Sequence, residues 1–344
     1  MCVTHQRLDT TVKQLFAIRR RFSHFSDGVP RPRAGRWSAL ASGAGFVLAL
    51  CAMSPTATAY HYEQHAGPDA AVAVVTAGGA RNPSPGCGRH PVKTGTFTMT
   101  TFDGNGRTRS FMIDVPAVYN PNNGYPIIAV YHGAGSSSAD SYSWGLQNGA
   151  ANGHGIFVFP QGIPFEKAGI GWDDTTDGYD IPFFDNMVTA VEAAYCIDTK
   201  RIFAAGFSWG GDFVTALTCN RGDVIRAVAV NSASDEFGTR SNYLTYADLP
   251  CATATHSAMR YEHAIGGDGD YPSPDFATTS SLYKYLNHCA ATSTPYHSST
   301  SVMTCVSHDS CAQQFIECPF NASIGHLLPP NWATDTWAFF LTFH

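Results

Sequence analysis

Between Arg201 and Gly211 the chain reads Arg-Ile-Phe-Ala-Ala-Gly-Phe-Ser-Trp-Gly-Gly, and this stretch restricts the possible folds more than any other. Ile202 to Ala205 is a short apolar run of the kind that forms a strand buried on both faces. After Gly211, the residues Phe213, Val214, Ala216 and Leu217 fit a helix. Gly206-x-Ser208-x-Gly210 must then make the whole reversal from strand to helix, and a turn that tight needs small residues on either side of the serine. The turn holds the Ser208 hydroxyl above the sheet. It also aims the backbone N–H of Trp209, at a helix N-terminus with its positive potential, toward the oxygen of a bound carbonyl. Ser208 is the candidate nucleophile. The plainer reading is a chance match in a chain with 32 glycines, and the flanking strand and helix weigh against it.

The rest of the chain supplies a sheet for that turn. Thr96 to Thr101 and Arg109 to Pro116 alternate apolar and polar residues around Asp103-Gly104-Asn105-Gly106, as an antiparallel edge hairpin does. Ile127 to Tyr131, Ile156 to Pro160, Ile225 to Val230 and Met259 to Ile265 read as buried strands, and Phe315 to Cys318 as a last short one. Phe183, Met187, Val188, Val191 and Tyr195 recur at helical spacing after Pro182, with Asp185 and Glu192 as solvated charges. Thr278 to Leu286 reads as a further helix, and Trp332 to Phe343 as a closing helix burying Trp337, Phe340 and Leu341. Strands followed by alternating strands and helices predict an α/β fold with a mostly parallel sheet covered on both faces. Ile127 to Tyr131 runs into His132-Gly133-Ala134-Gly135-Ser136, a loop small enough to turn the Ala134 N–H toward the serine as a second oxyanion donor. An ordinary glycine turn is the alternative there.

A serine hydroxyl needs a base, and the base an orienting carboxylate, in the chain order serine, acid, histidine. The loop Gly266-Gly267-Asp268-Gly269-Asp270 follows a late strand and offers Asp268 as the acid, with Asp270 as the alternative. Among the downstream histidines, His288 falls at the end of a predicted helix, His297 and His308 in a Ser, Thr and Cys-rich segment, and His344 at the terminus. His326 stands alone in a loop after the last predicted strand, in Gly325-His326-Leu327-Leu328-Pro329-Pro330, where glycine permits a sharp turn and the prolines stiffen the exit. His326 is the candidate base. Trp144, Trp172 and Trp209 are candidates for an aromatic substrate pocket.

Charge is distributed unevenly. Residues 1–59 carry 8 of the 21 Lys and Arg and 2 of the 27 Asp and Glu, which leaves 13 basic against 25 acidic residues in the remainder. A body this acidic is expected neither to bind nucleic acid nor to seek anionic membranes. Arg19 to Arg36 precede an apolar run from Ala39 to Met53, and Ala57-Thr58-Ala59 fits a cleavage site, so residues 1–59 read as an export signal. The run is short for a membrane anchor, which is the less favoured reading and needs about 20 apolar residues. Residues 60–86 read as a linker or a disordered mature N-terminus, rich in Ala, Gly and Pro. Residues 87–344 read as the catalytic domain, expected to act as a monomer without stable membrane association. Beyond the signal lie Cys87, Cys196, Cys219, Cys251, Cys289, Cys305, Cys311 and Cys318, an even number suited to disulfides in an oxidising compartment. Spacing leaves their pairing open. Cys305-x-x-His308-x-x-Cys311 has ligand-like spacing, but exported thiols oxidise before they bind zinc, and no metal is expected.

Several separated motifs carry a resemblance: Ser84-x-Gly86-Cys87-Gly88, the His132-Gly133 loop, Tyr195-Cys196-Ile197-Asp198, Arg201-Ile202-Phe203-Ala204, Gly206-Phe207-Ser208-x-Gly210-Gly211 and Gly325-His326-x-x-Pro329. Together, over roughly residues 84–344, they resemble the secreted feruloyl esterases of carbohydrate esterase family 1 and the related polyhydroxybutyrate depolymerase-like esterases. The resemblance implies an α/β-hydrolase fold, no metal or organic cofactor, and hydrolysis of carboxylic esters. It points to esterified plant polysaccharide or oligosaccharide as substrate, with polyester depolymerase or acetylxylan esterase as alternatives in the same chemistry. A noncatalytic carbohydrate-binding protein on the same scaffold is the reading from another class. Two departures stand out: Ile265-Gly266-Gly267-Asp268 replaces the His-Gly-Thr-x-Asp pattern usual at the acid, and Trp209 follows the serine.

Overall fold

The computed structural model describes residues 82–91, 93–165, 169–175, 178–234, 257–269 and 273–343. Residues 1–81, which include the segments read above as an export signal and most of a linker, lie outside the described residues, as do Cys251, Asp270 and His344. All the described residues fall in one compact unit, Ala71–His344.

The apolar runs form the strands where they are expected. β1 (Gly95–Phe102) and β2 (Thr108–Val115) pair antiparallel across the Asp103 to Gly106 turn. β3 (Tyr125–Tyr131) and β4 (Ile156–Pro160) are buried at every position, as strands covered on both faces must be. β5 (Ile163–Pro164) and β6 (Ile170–Gly171) make a small separate hairpin, and β7 (Ile197–Phe207) leads into the serine turn. β8 (Ala227–Asn231), β9 (Ala258–Ala264), β10 (Ser293–Tyr296), β11 (Cys305–His308) and β12 (Phe315–Phe320) follow. Ten of the strands make one sheet in the order β1-β2-β4-β3-β7-β8-β9-β12-β11-β10. The six from β4 to β12 are parallel, and an antiparallel pair extends each edge. Among the described residues the α-helices are α1 (Ser138–Ser143), α2 (Asp180–Ala194), α3 (Trp209–Arg221), α4 (Ser273–Leu286) and α5 (Trp332–Phe340). This is the α/β-hydrolase fold. It places the C-terminal ends of the parallel strands, where ligands bind in open α/β sheets, at one edge of the sheet.

Two local expectations need correction, and one segment holds strands that the sequence did not announce. α5 stops at Phe340, so Leu341 lies past its end and is 41% exposed, while Phe339 and Phe340 carry the burial. Asp185 is not merely solvated: both its carboxylate oxygens accept from the Arg221 guanidinium, at 2.7 and 2.6 Å, tying α2 to α3. The Ser, Thr and Cys-rich segment holds β10 and β11. Their short polar runs have no apolar period to betray them, and disulfides Cys289–Cys311 and Cys305–Cys318 pin this edge instead. Those bonds consume every cysteine of the metal-like spacing. Cys87–Cys196 staples the start of the compact chain to β7, beside a Ser84 hydroxyl that donates to the Tyr195 carbonyl at 2.7 Å.

The same edge carries a pH-sensitive contact. Glu317 on β12 accepts from Nε2 of His263 at 3.2 Å and of His308 at 2.9 Å, with Lys284 Nζ 3.9 Å away. Burial alone would raise its carboxyl; the imidazole hydrogen bonds outweigh that and hold it at about 2. A carboxyl depressed in the fold stabilises it fully above the unfolded value of about 4.5, and that contribution is lost as pH falls toward 2. The difference corresponds to a stabilisation on the order of 3 kcal/mol at neutral pH. Glu317→Gln is expected to lower the urea midpoint at pH 7 and to flatten the decline of stability between pH 4.5 and 2. An acid limb as steep as that of the wild type would show that other carboxylates govern it.

Candidate active site

The turn between β7 and α3 takes the shape its sequence requires. Ser208 sits at φ 55°, ψ −131°, a region that costs an L-residue about 1–3 kcal/mol and persists only where surrounding structure enforces it. The enforcement is visible. A Cβ on Gly206 would stand 2.2 Å from the Gly210 carbonyl oxygen, and one on Gly210 would stand 2.3 Å from that of Tyr131. The Ser208 N–H donates to the Asn231 carbonyl at the end of β8 at 3.0 Å, and its own carbonyl accepts from Asp212 at 2.9 Å. Trp209, first in α3, has an N–H without an intrahelical acceptor.

His326 and Asp268 come from loops far apart in sequence and meet. His326 Nδ1 donates to Asp268 Oδ2 at 2.7 Å, with the Asp268 carboxylate fully buried and the imidazole 19% exposed. Gly325, at φ 69° and ψ −156°, makes the sharp turn that presents the ring. Asp268 is flanked by Gly267 and Gly269, both at positive φ, in the short loop that follows β9. A proton fixed on Nδ1 leaves Nε2 as the basic nitrogen of the neutral ring.

Ser208 and His326 line one cavity of about 310 Å³, together with Gly133, Ala134 and Ser136 of the loop after β3. That loop is braced by the described part of residues 161–180, an insertion that follows β4. His132 Nε2 accepts the Gly162 N–H at 2.9 Å, so Nδ1 carries the proton and donates to the Gly133 carbonyl at 2.8 Å. Burial lowers the basicity of this ring, in keeping with a neutral imidazole. Trp172 Nε1 donates to the His132 carbonyl at 2.8 Å, Gly135 N–H to Ile170 at 2.8 Å, and Ser138 N–H to Gln161 Oε1 at 3.0 Å. Among the described residues the Ala134 N–H has no backbone acceptor. The insertion is held in turn by buried Arg109, which donates to the Gln161 carbonyl at 3.0 Å and pairs with Asp103 and Asp180.

Of the tryptophans singled out from sequence, Trp144 lines the cavity. Its ring lies edge-on to Phe207 on one side and to Trp332 on the other, each at 5.9 Å. Trp172 does not: it is fully buried, stacked on Phe213 at 5.6 Å and perpendicular to Tyr131, and it serves the loop from behind. Trp209 is buried under the β5–β6 hairpin, edge-on to Phe165 at 5.7 Å. Sequence reasoning missed Phe207, whose ring stands 4.8 Å from that of His326 and forms part of the cavity wall. Its position beside the serine was the available signal. Asp270, the alternative acid, lies outside the described residues.

No protein-family model matches the chain. Feruloyl esterase D of Neurospora crassa is 34% identical over 171 residues, 46% of this chain and 57% of that protein. A probable feruloyl esterase C of Aspergillus niger is 36% identical over 156 residues, 43% of this chain and 53% of that protein. The chain thus spans about half the length of the curated relatives it matches. Among solved structures, an acetyl xylan esterase from Aspergillus awamori superposes with a TM-score of 0.57 at 14% identity, covering 72% of this chain and 100% of that one, a likeness of fold. The chain therefore has the fold of the α/β-hydrolases, and over somewhat less than half its length its sequence is homologous to the fungal feruloyl esterases.

Proposed function

We propose that this chain is a secreted serine carboxylesterase that hydrolyses feruloyl and related hydroxycinnamoyl esters of plant cell wall polysaccharide. The observation that carries the reading is the His326–Asp268 contact at 2.7 Å with Ser208 and His326 lining one cavity. Homology to named feruloyl esterases supports the acyl group, and the Trp144 and Phe207 rings beside Ser208 suit a flat aromatic acid. An arginine-rich segment followed by an apolar run, and disulfides throughout the domain, support export to an oxidising compartment.

In the mechanism, His326 Nε2 takes the Ser208 proton as the hydroxyl oxygen attacks the ester carbonyl, and Asp268 holds the imidazolium that forms. The N–H groups of Trp209 and Ala134 take the negative charge of the tetrahedral oxygen. Collapse breaks the ester bond, and His326 gives its proton to the leaving alcohol. Water then repeats the sequence on the acyl-enzyme, releasing the acid and restoring Ser208. No step requires a metal or an organic cofactor.

A panel of methyl ferulate, acetylated xylan and a hydroxybutyrate oligomer tests the substrate class on the purified chain. The highest kcat/KM is expected on methyl ferulate. A clear preference for acetylated xylan or for the oligomer would move the reading to acetylxylan esterase or polyester depolymerase. Inertness toward all three, together with binding to polysaccharide, would replace it by a noncatalytic binding role.

A further inference from the structure

A buried charged cluster that the mechanism above does not use is linked to the three loops of the proposed site. Arg260 and Glu262 stand two residues apart on β9 and so share a face of the sheet. The guanidinium Nε donates to Glu262 Oε1 at 2.7 Å, and each side chain is 1% exposed. Burying both members of an ion pair is costly, and apolar residues of similar volume generally serve stability as well. The pair reaches the site in three directions. Asn231 Nδ2 donates to Glu262 Oε2 at 2.8 Å, and the carbonyl of Asn231 is the acceptor that holds the strained Ser208 N–H. On the other side, an Arg260 terminal nitrogen donates to Asp335 Oδ2 at 3.3 Å, in the first turn of α5, the helix entered from the His326 loop. Asp335 also accepts from the Ser298 hydroxyl at 2.9 Å and the Ser299 N–H at 3.1 Å, so its side of the link is itself fixed. The third direction is β9 itself, which runs on from Glu262 to the Asp268 loop.

We propose that Glu262 and Arg260 are positioning residues that hold the Ser208 turn, the Asp268 loop and the His326 loop in mutual register. The inference rests on the assignment of Ser208, Asp268 and His326, and it concerns how they are placed rather than what they do. Glu262 bridges Arg260 and Asn231 with one oxygen each. A side chain of the same shape that still bridges them preserves the register, and one that cannot bridge loses it. Glutamine is such a replacement, because its oxygen accepts from Arg260 while its amide donates to the Oδ1 of a flipped Asn231. Leucine is not.

The test is steady-state hydrolysis of methyl ferulate by Glu262→Leu and Glu262→Gln, with kcat expressed per serine titrated by an organophosphate. Loss of fold lowers the number of titratable serines but not the turnover of those that remain. Glu262→Leu is expected to lower kcat per titrated site by about ten- to a hundredfold, the scale set by small misplacements of reacting groups, with KM within about twofold of wild type. Glu262→Gln is expected to recover kcat to within about threefold. Turnover per site within twofold of wild type in Glu262→Leu, or a Glu262→Gln as impaired as the leucine variant, would overturn the proposal. If Glu262→Leu does not fold, Asn231→Ala removes the same link: a tenfold or larger loss per site supports it, and wild-type turnover overturns it. Failure of the serine assignment would appear separately, as titration at a residue other than Ser208.

Discussion

Ser208→Ala is expected to lower kcat on methyl ferulate by about 10⁴- to 10⁶-fold, with thermal stability close to that of the wild type. Loss of the attacking oxygen removes the acyl-enzyme route altogether, and residual catalysis comes only from the oxyanion donors and binding. The substitution deletes one atom at the cavity surface and disturbs no packed side chain. Alanine also meets the same positive φ as serine, so the turn keeps its strain and its hydrogen bonds to Asn231 and Asp212. Steady-state rates with a thermal melt on the same preparation check both halves. Turnover near wild type in a folded Ser208→Ala would remove the nucleophile assignment and the mechanism with it.

The second large effect is expected at the acid. Asp268→Asn keeps the shape of the side chain but offers His326 Nδ1 an amide whose N–H₂ opposes the proton now held there at 2.7 Å. The ring then adopts the tautomer with its proton on Nε2, and it cannot accept one from Ser208. A loss in kcat of about 10⁴-fold is expected, with KM little changed. Asp270→Asn serves as the comparison, since sequence alone offered both residues. A loss of that size at Asp270, with a minor one at Asp268, would reverse the assignment.

The legible parts of this chain are those in which local chemistry admits few alternatives. Glycines on both sides of Ser208 announce a turn in which Cβ atoms would lie within 2.2 to 2.3 Å of backbone oxygens. Gly325 before His326 announces a similar reversal, and continuous apolar runs mark β3, β4 and β8. The less legible parts depend on what folds back over what. Trp172 packs behind the His132 loop only because the insertion around it returns to the sheet, held by Arg109 and Asp180, and no spacing in the sequence records that return. The strands β10 and β11 owe their place to disulfides rather than to an apolar period. Cys87 and Cys196 are 109 residues apart, a pairing that only the finished fold reveals. The Arg260–Glu262 pair escaped sequence reasoning for the reason that makes it informative: charged residues inside a buried strand find their partners only in three dimensions.

Inactivation by diethyl p-nitrophenyl phosphate, followed by peptide mass mapping, identifies the activated nucleophile itself. The reagent phosphorylates a serine only where a base and oxyanion donors have activated it. About one adduct per chain is expected, located on Ser208, formed in step with the loss of methyl ferulate hydrolysis and slowed severely by His326→Ala. An adduct on another residue, or an unmodified Ser208 in protein that has lost its esterase activity to the reagent, would contradict the assignment of Ser208.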